Sequence, residues 1–140
     1  MIRKFENNDL AQIMDIWLET NMRAHSFIEQ KYWNENFEAV RNMIPEADVY
    51  VFEEEGVIKG FAGLSRNYIA GIFVEHESQS RAIGRMLLNH VKSLNSSLHL
   101  SVYRNNERAV KFYLREGFSV EEETTDDNTG EIEYLMRWRS

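Results

Sequence analysis

The chain has 140 residues, 43% of them hydrophobic and 28% charged, and these proportions exclude an intrinsically disordered protein. Its formal net charge of −7 argues against a nucleic-acid binder, which would carry a basic surplus, and suits a cationic partner such as an amine. It has no cysteine, which excludes disulfide bonds, thiolate metal ligands and a thiol nucleophile. We expect one domain over residues 1–140, with no bound metal.

The amino-terminal residues Met1–Asn7 include two basic side chains but no apolar run, so we expect no secretory signal. No segment approaches the roughly 20 apolar residues that a bilayer-spanning helix needs. We therefore expect a cytoplasmic protein that does not bind membranes.

The first third of the chain predicts one strand followed by two helices. A short strand is expected over residues 2–5. Asp9 lies three residues before Gln12, which is typical of a capping box, and apolar residues at helical spacing then predict a helix over about 9–21. A second helix is predicted over about 28–43.

The middle of the chain changes to a strand-like pattern. Residues 49–52 and 57–64 predict two strands around a turn at Glu54–Gly56. The run 68–74 is almost wholly apolar and predicts a buried central strand. Its interior Gly71 indicates a bulge, or a ligand that approaches the backbone closely.

The last third predicts a helix over about 82–95, a strand over 98–102, a helix over about 106–116 and a terminal hairpin. Gly117 is expected to end the second of these helices. The apolar stripe of the first is expected to comprise Ile83, Leu87, Val91 and Leu94. The element order predicts an α/β (α+β) domain of three layers, with four helices around a mixed, mostly antiparallel sheet of about seven strands.

The polar loop that leads into the helix near Ala82 has the features of a phosphate site. A helix start offers unpaired N–H groups and the positive end of the helix dipole. Ala82 and Gly84 are small enough for an anion to come close, and Arg81 and Arg85 add positive charge. The alternative is that Gly84 only lets the helix pack tightly against the sheet.

The second segment of interest begins at Asn106 and includes Tyr113. Asn106 can cap a helix, and Tyr113 can pack in the core with its hydroxyl at the rim. Each residue thus has a structural alternative to a functional role.

Together these segments resemble the GNAT superfamily of N-acyltransferases, and the resemblance covers nearly the whole chain. The family's Gln/Arg-x-x-Gly-x-Gly/Ala loop is matched by Gln79–Gly84. Its Asn-x-x-Ala-x-x-Phe-Tyr-x-x-x-Gly-Phe segment is matched without a gap by Asn106–Phe118. Two residues depart from the family pattern: His76 stands where proline is common, and Ala82 where glycine is usual. Because alanine leaves less room for a positive φ or a close phosphate, we expect weaker or slightly shifted binding.

The resemblance implies an enzyme that transfers an acetyl group from acetyl-CoA to a primary amine of a peptide, a protein or a small amino compound. The diphosphate would lie on the backbone amides from Arg81 to Arg85. The pantetheine arm would pair with the backbone of the Ile72–Phe73–Val74 strand. Asn106 would contact that arm, and Tyr113 would lie near the thioester sulfur. The residues implied for cofactor binding are Ile72, Phe73, Val74, Gln79, Arg81, Ala82, Ile83, Gly84, Arg85, Asn106 and Tyr113.

The absence of a cysteinyl nucleophile favours direct attack by the amine in a ternary complex. Tyr113 is the candidate general acid for the departing thiolate. A backbone N–H near Phe73 or Val74 could polarise the thioester carbonyl. The general base stays open among Glu75, acting directly or through a water, His76 and His25.

The acceptor pocket is expected near the connection between the first two helices. His25 with the aromatic side chains of Phe27, Tyr32 and Trp33 could line it, although an aromatic stripe at helical spacing is also typical of a core. An alternative function on the same fold is a non-catalytic acyl-CoA sensor or interaction module. The edge of the terminal hairpin leaves either a monomer or a homodimer open.

Overall fold

The computed structural model describes residues 1–79 and 81–140, so Ser80 of the first motif lies outside the described residues. In the described part of the chain, seven strands and four helices follow one another in the predicted order. They are β1 (Ile2–Lys4), α1 (Leu10–Ala24), α2 (Gln30–Met43), β2 (Asp48–Glu54), β3 (Val57–Ser65), β4 (Tyr68–Val74), α3 (Ile83–Ser93), β5 (Ser97–Tyr103), α4 (Glu107–Arg115), β6 (Ser119–Thr125) and β7 (Ile132–Arg139).

The seven strands form one sheet in the order β1-β2-β3-β4-β5-β7-β6. Every neighbouring pair is antiparallel except β4 and β5, which run parallel. The prediction of a mixed, mostly antiparallel sheet is therefore confirmed. None of the helices in the described ranges is long and apolar enough to cross a membrane.

Helices cover both faces of the sheet, which confirms the predicted three layers. On one face, α1 and α2 bury Ile13, Met14 and Trp33 against side chains of β2 and β3. On the other face, the apolar sides of α3 and α4 pack into a second core cluster. Its fully buried members include Leu87, Leu98 and Met136.

The strand β4 lies in the middle of the sheet but is not the buried strand that its apolar sequence predicts. It pairs with β5 only through Tyr68 and Ile69, and the two strands then diverge. Only Ile69 of β4 is buried, because the divergence opens the rest of the strand on one edge. That separation positions the candidate site.

The predicted irregularity beside the interior glycine of β4 is confirmed. Gly71 pairs with Gly63, but the next pair joins Ile69 to Leu64, so Ala70 is the extra residue of a bulge. A Cβ atom on Gly71 would lie 2.3 Å from the ring of Phe73. Glycine therefore lets the Phe73 ring occupy this space, and a larger residue would force the ring to move.

The predicted capping box at the start of α1 is wrong. A short turn over Asn7–Asp9 precedes the helix, and Asp9 already has helical angles, φ −81° and ψ −15°. Its carboxylate accepts hydrogen bonds from the backbone N–H of Glu6 and from the Arg3 guanidinium. Gln12 instead accepts from the backbone N–H of Ile58 on β3.

The predicted end of α4 is confirmed, but one residue predicted for the apolar stripe of α3 is not buried. Gly117 has a φ of 95°, the left-handed conformation expected of the residue that ends α4. Leu94, predicted to lie on the apolar stripe of α3, is 54% exposed because the helix ends at Ser93.

Candidate active site

The divergence of β4 and β5 opens a cleft of about 1600 Å³. Its walls come from the second half of β4, the loop and first turn of α3, the length of α4 and the end of α1. Most of the residues predicted for the site line this cleft. They are His25, Ile72, Phe73, Val74, His76, Gln79, Ala82, Ile83, Gly84, Arg85, Asn106 and Tyr113.

Two charged residues predicted for the site are not among the residues that line the cleft. The Glu75 carboxylate lies 3.2 Å from Lys59 Nζ and accepts a 2.7 Å hydrogen bond from Ser78 Oγ. Arg81 forms an ion pair, at 2.8 Å, with Glu54, the last residue of β2. Both side chains are thus engaged with neighbouring protein groups.

The predicted acceptor aromatics also lie outside the lining of the cleft. Trp33 is only 7% exposed and packs edge-on against Trp17, with ring centroids 5.9 Å apart. Phe27 and Tyr32 are half-buried around the same core cluster. Their packing matches the core alternative, and His25 is the member of the predicted group that reaches the cleft.

The backbone of β4 presents polar groups to the cleft at alternate residues. The N–H of Glu75 donates to the carbonyl of Lys59 on β3, so the polar groups of Phe73 also face β3 and those of Ile72 and Val74 face away. The carbonyl of Val74 accepts a 3.0 Å hydrogen bond from Gln79 Nε2. An extended ligand in the cleft could therefore pair with the Ile72 backbone and the Val74 N–H.

The loop before α3 adopts the conformation that a glycine would favour, despite its alanine. Ala82 has φ 64° and ψ 15°, in the left-handed region. The first hydrogen bond of the helix runs from the N–H of Met86 to the carbonyl of Ala82. The N–H groups of Ile83, Gly84 and Arg85 precede that bond and have no acceptor in the helix.

Gly84 is not required for the packing of α3. A Cβ atom at this position would lie 3.7 Å from Val74 Cγ2 and 3.8 Å from the Phe112 ring, which are ordinary contacts. The alternative that Gly84 serves only close helix packing therefore fails. The missing side chain leaves space on the cleft side of the first turn.

The cleft is positively charged, although the chain as a whole is acidic. Among its described lining residues, five arginine and lysine side chains stand against two carboxylates. Arg108, Lys111 and Arg115 share one side of α4, and sequence reasoning missed them. Their i, i+3 and i+7 spacing in the sequence could have shown that the three cations share one side of the helix. This charge suits a ligand with several phosphates.

Tyr113 is a mostly buried residue of α4 that also lines the cleft. The residue is 7% exposed and packs against the rings of Phe112 and Phe118. Burial raises the pKa of Tyr113 above its ordinary value, so the phenol stays protonated at neutral pH.

The two candidate histidines of the cleft lie in contrasting environments. His76 is exposed. His25 is 9% exposed, and its ring stacks on Trp33 with centroids 5.1 Å apart. Burial lowers the pKa of His25 to about 4, so its imidazole is neutral at physiological pH.

Two carboxylates that were not predicted for the site, Asp126 and Glu133, lie near His25 on the side of Tyr103. The Tyr103 ring packs edge-on against His25, and its hydroxyl donates a 2.5 Å hydrogen bond to Asp126. Glu133 pairs with Tyr103 across β5 and β7. Burial and the Asp126 carboxylate raise the pKa of Glu133. Within the described residues, no group of three or more His, Asp or Glu side chains could hold a metal ion.

Comparison with known proteins identifies relatives over almost the whole chain. The profile of the Acetyltransferase (GNAT) domain matches residues 18–133. Peptidyl-lysine N-acetyltransferase YiaC of Escherichia coli is 31% identical over 140 residues, covering 99% of this chain and 96% of YiaC. The solution structure of apo YjaB from Escherichia coli superposes with a TM-score of 0.88 at 27% identity, covering 99% of this chain and 96% of that one. The Salmonella typhimurium protein yncA, solved with acetyl-CoA, shares the fold at 18% identity and a TM-score of 0.69, covering 99% of this chain and 92% of yncA.

Proposed function

Because the chain belongs to the GNAT acetyltransferase family and is an N-acetyltransferase that uses acetyl-CoA, we propose that its acceptor is a lysine side chain of a peptide or protein. The names of two relatives support this acceptor class. YiaC, and YjaB at 29% identity over 130 residues, are both named peptidyl-lysine N-acetyltransferases.

The cleft beside β4 is the observation that carries the assignment of the donor site. The backbone of Ile72 and the N–H of Val74, which face away from β3, would hold the pantetheine arm. The first amides of α3, from Ile83 to Arg85, would hold the diphosphate, because the helix dipole favours an anion there. The cations of α4 attract the same phosphates.

Tyr113 is the general acid of this proposal. The buried phenol is protonated at neutral pH and Tyr113 lines the cleft, so the phenol can supply a proton to the departing thiolate. The amine attacks directly, because the chain has no cysteine to carry the acyl group. His76 is favoured as the base over Glu75, whose carboxylate is engaged by Lys59 and Ser78.

Electrostatics on the His25 side of the cleft support a cationic acceptor. Asp126 and Glu133 lie beside Tyr103, which packs on His25, and burial and the Asp126 carboxylate raise the pKa of Glu133. A lysine ammonium beside these two carboxylates would relieve the repulsion between them. The cytoplasmic location and the monomeric or homodimeric state stay predictions from the sequence.

Two peptides distinguish lysine acetylation from amino-terminal acetylation. One has a blocked amino terminus and a single lysine, and its matched control has a free amino terminus and arginine in place of the lysine. With acetyl-CoA, we expect mass spectrometry to show one added acetyl group on the lysine peptide alone. Transfer only to the control peptide, or only to a polyamine such as spermidine, would overturn the lysine assignment.

The donor site has a separate test that does not require the acceptor. Calorimetric titration with acetyl-CoA should show saturable binding near one per chain, while NADH should show none. Adenosine 3′,5′-bisphosphate should bind more weakly than acetyl-CoA, because it lacks the pantetheine arm. Absence of acetyl-CoA binding at millimolar concentration would refute the proposed donor site.

A further inference from the structure

The carboxamide of Asn106 has a fixed orientation at the start of α4. Its Oδ1 accepts a 3.3 Å hydrogen bond from the backbone N–H of Ala109, which can only donate. The amide oxygen must therefore face the helix, and Nδ2 must point to the opposite side. There it lies 3.3 Å from Nε2 of His25 on the far wall of the cleft.

The tautomer of His25 follows from its two partners. Nδ1 lies 3.1 Å from the carbonyl oxygen of Asn21, which can only accept, so Nδ1 carries the proton. Nε2 then has a free lone pair and accepts from Asn106 Nδ2. The two contacts are consistent with one neutral imidazole, the form that burial favours.

The packing around His25 holds its ring in this position. The ring stacks on Trp33 and meets the edges of Phe27 and Tyr103, with centroids 5.6 and 5.2 Å away. The backbone N–H of His25 also donates to Asn21, at the carboxyl end of α1. His25 is therefore a rigid acceptor that α1 presents to the start of α4.

We propose that His25 is a positioning residue that orients the Asn106 carboxamide as a hydrogen-bond donor toward the acyl donor. One Nδ2 hydrogen binds His25, and the second is left for a carbonyl oxygen of a ligand in the cleft, such as an amide of the pantetheine arm. In this role His25 is not the general base, because its one lone pair is occupied by Asn106. The inference rests on the proposed donor site.

The matched variants are His25→Phe, which keeps an aromatic ring on Trp33 but removes the acceptor, and His25→Gln, which keeps an acceptor. We expect His25→Phe to raise the Kd and the KM for acetyl-CoA about three- to tenfold, as the loss of one hydrogen bond would. The change should fall on the KM for acetyl-CoA rather than on kcat. His25→Gln should recover part of the affinity.

A double-mutant cycle with Asn106→Ala separates positioning from a general structural effect. Once Asn106 is alanine, His25→Phe should cause no further loss of acetyl-CoA affinity, whereas independent roles would give additive losses. Additive losses would overturn the proposal, as would a hundredfold loss of kcat at unchanged Kd, which would instead indicate a base. If His25→Phe does not fold, the cycle is run with His25→Leu, which also lacks an acceptor.

Nitrogen-15 NMR of the free protein tests the tautomer without any ligand. We expect His25 to show a protonated Nδ1 and an unprotonated Nε2, and Asn106→Ala to perturb the Nε2 resonance. A protonated Nε2 would refute the inference even if acetyl-CoA binds. Failure of the wild type to bind acetyl-CoA, with the expected tautomer present, would count against the donor site instead.

Discussion

Substitution of Ala82 by glycine should stabilise the protein. Ala82 has a φ of 64°, and the left-handed region costs a residue with a Cβ atom about 1–2 kcal/mol. Glycine avoids that cost but loses roughly 0.4–1 kcal/mol through the greater entropy of its unfolded chain. We therefore expect Ala82→Gly to raise the free energy of unfolding by about 1 kcal/mol.

Thermal unfolding followed by circular dichroism measures this gain. With an unfolding entropy of roughly 2.1 cal/mol/K per residue, a chain of 140 residues should show a Tm increase of about 3 °C. Calorimetry with acetyl-CoA should show affinity equal to or higher than that of the wild type, because glycine is the residue usual in the family at this position.

The matched control is Ala39→Gly, in the exposed interior of α2. The same chemical change there should lower stability by about 1 kcal/mol, since the helical backbone favours alanine. Opposite signs at the two positions are the diagnostic result. A lower Tm for Ala82→Gly, or equal losses at both positions, would refute the argument from backbone strain.

Three further predictions address the site and the fold. Gly84→Ala should leave the Tm unchanged or higher, because a Cβ atom fits at this position. The same substitution should weaken acetyl-CoA binding roughly tenfold in calorimetry. Unchanged affinity would show that no ligand approaches the first turn of α3. Tyr113→Phe should lower kcat about 10²- to 10⁴-fold in a thiol-release assay with acetyl-CoA affinity retained, and an unchanged kcat would remove its role as acid. The Arg3 guanidinium lowers the pKa of the buried Asp9 carboxyl, so this pair stabilises the fold above pH ~4 and the contribution is lost as the pH falls further. In urea titrations, Asp9→Asn should thus lower the free energy of unfolding by about 2 kcal/mol at pH 7. The difference between the variant and the wild type should shrink below pH ~4. A difference that does not change with pH would contradict a stabilising charge on Asp9.

Local features of the sequence were sufficient for the order and type of the elements. Residues of one helix or strand are neighbours along the chain, so periodicity alone revealed α3 and the alternation of β7. The contiguous motif from Asn106 to Phe118 was readable for the same reason. Even the bulge in β4 had a local signal, since Gly71 interrupts an apolar run.

The long-range partners of individual side chains could not be read in this way. Asp9 looked like a helix cap, but its carboxylate pairs with Arg3. Glu75 looked free for catalysis, but Lys59 lies beside it. Each of these pairs depends on which strands and turns the fold brings together, and no local pattern encodes that register.

The sequence by itself determined the element order, the family resemblance and twelve of the residues that line the cleft, because all of these reside in contiguous segments. Only the tertiary structure decided that β4 and β5 stop pairing after Ile69 and that the basic side chains of α4 line the cleft. It also decided that His25 lies within hydrogen-bond distance of Asn106. The physical reason is that a cleft forms where two neighbouring strands stop pairing. That point depends on how both strands and the helices above them pack, not on any one segment alone.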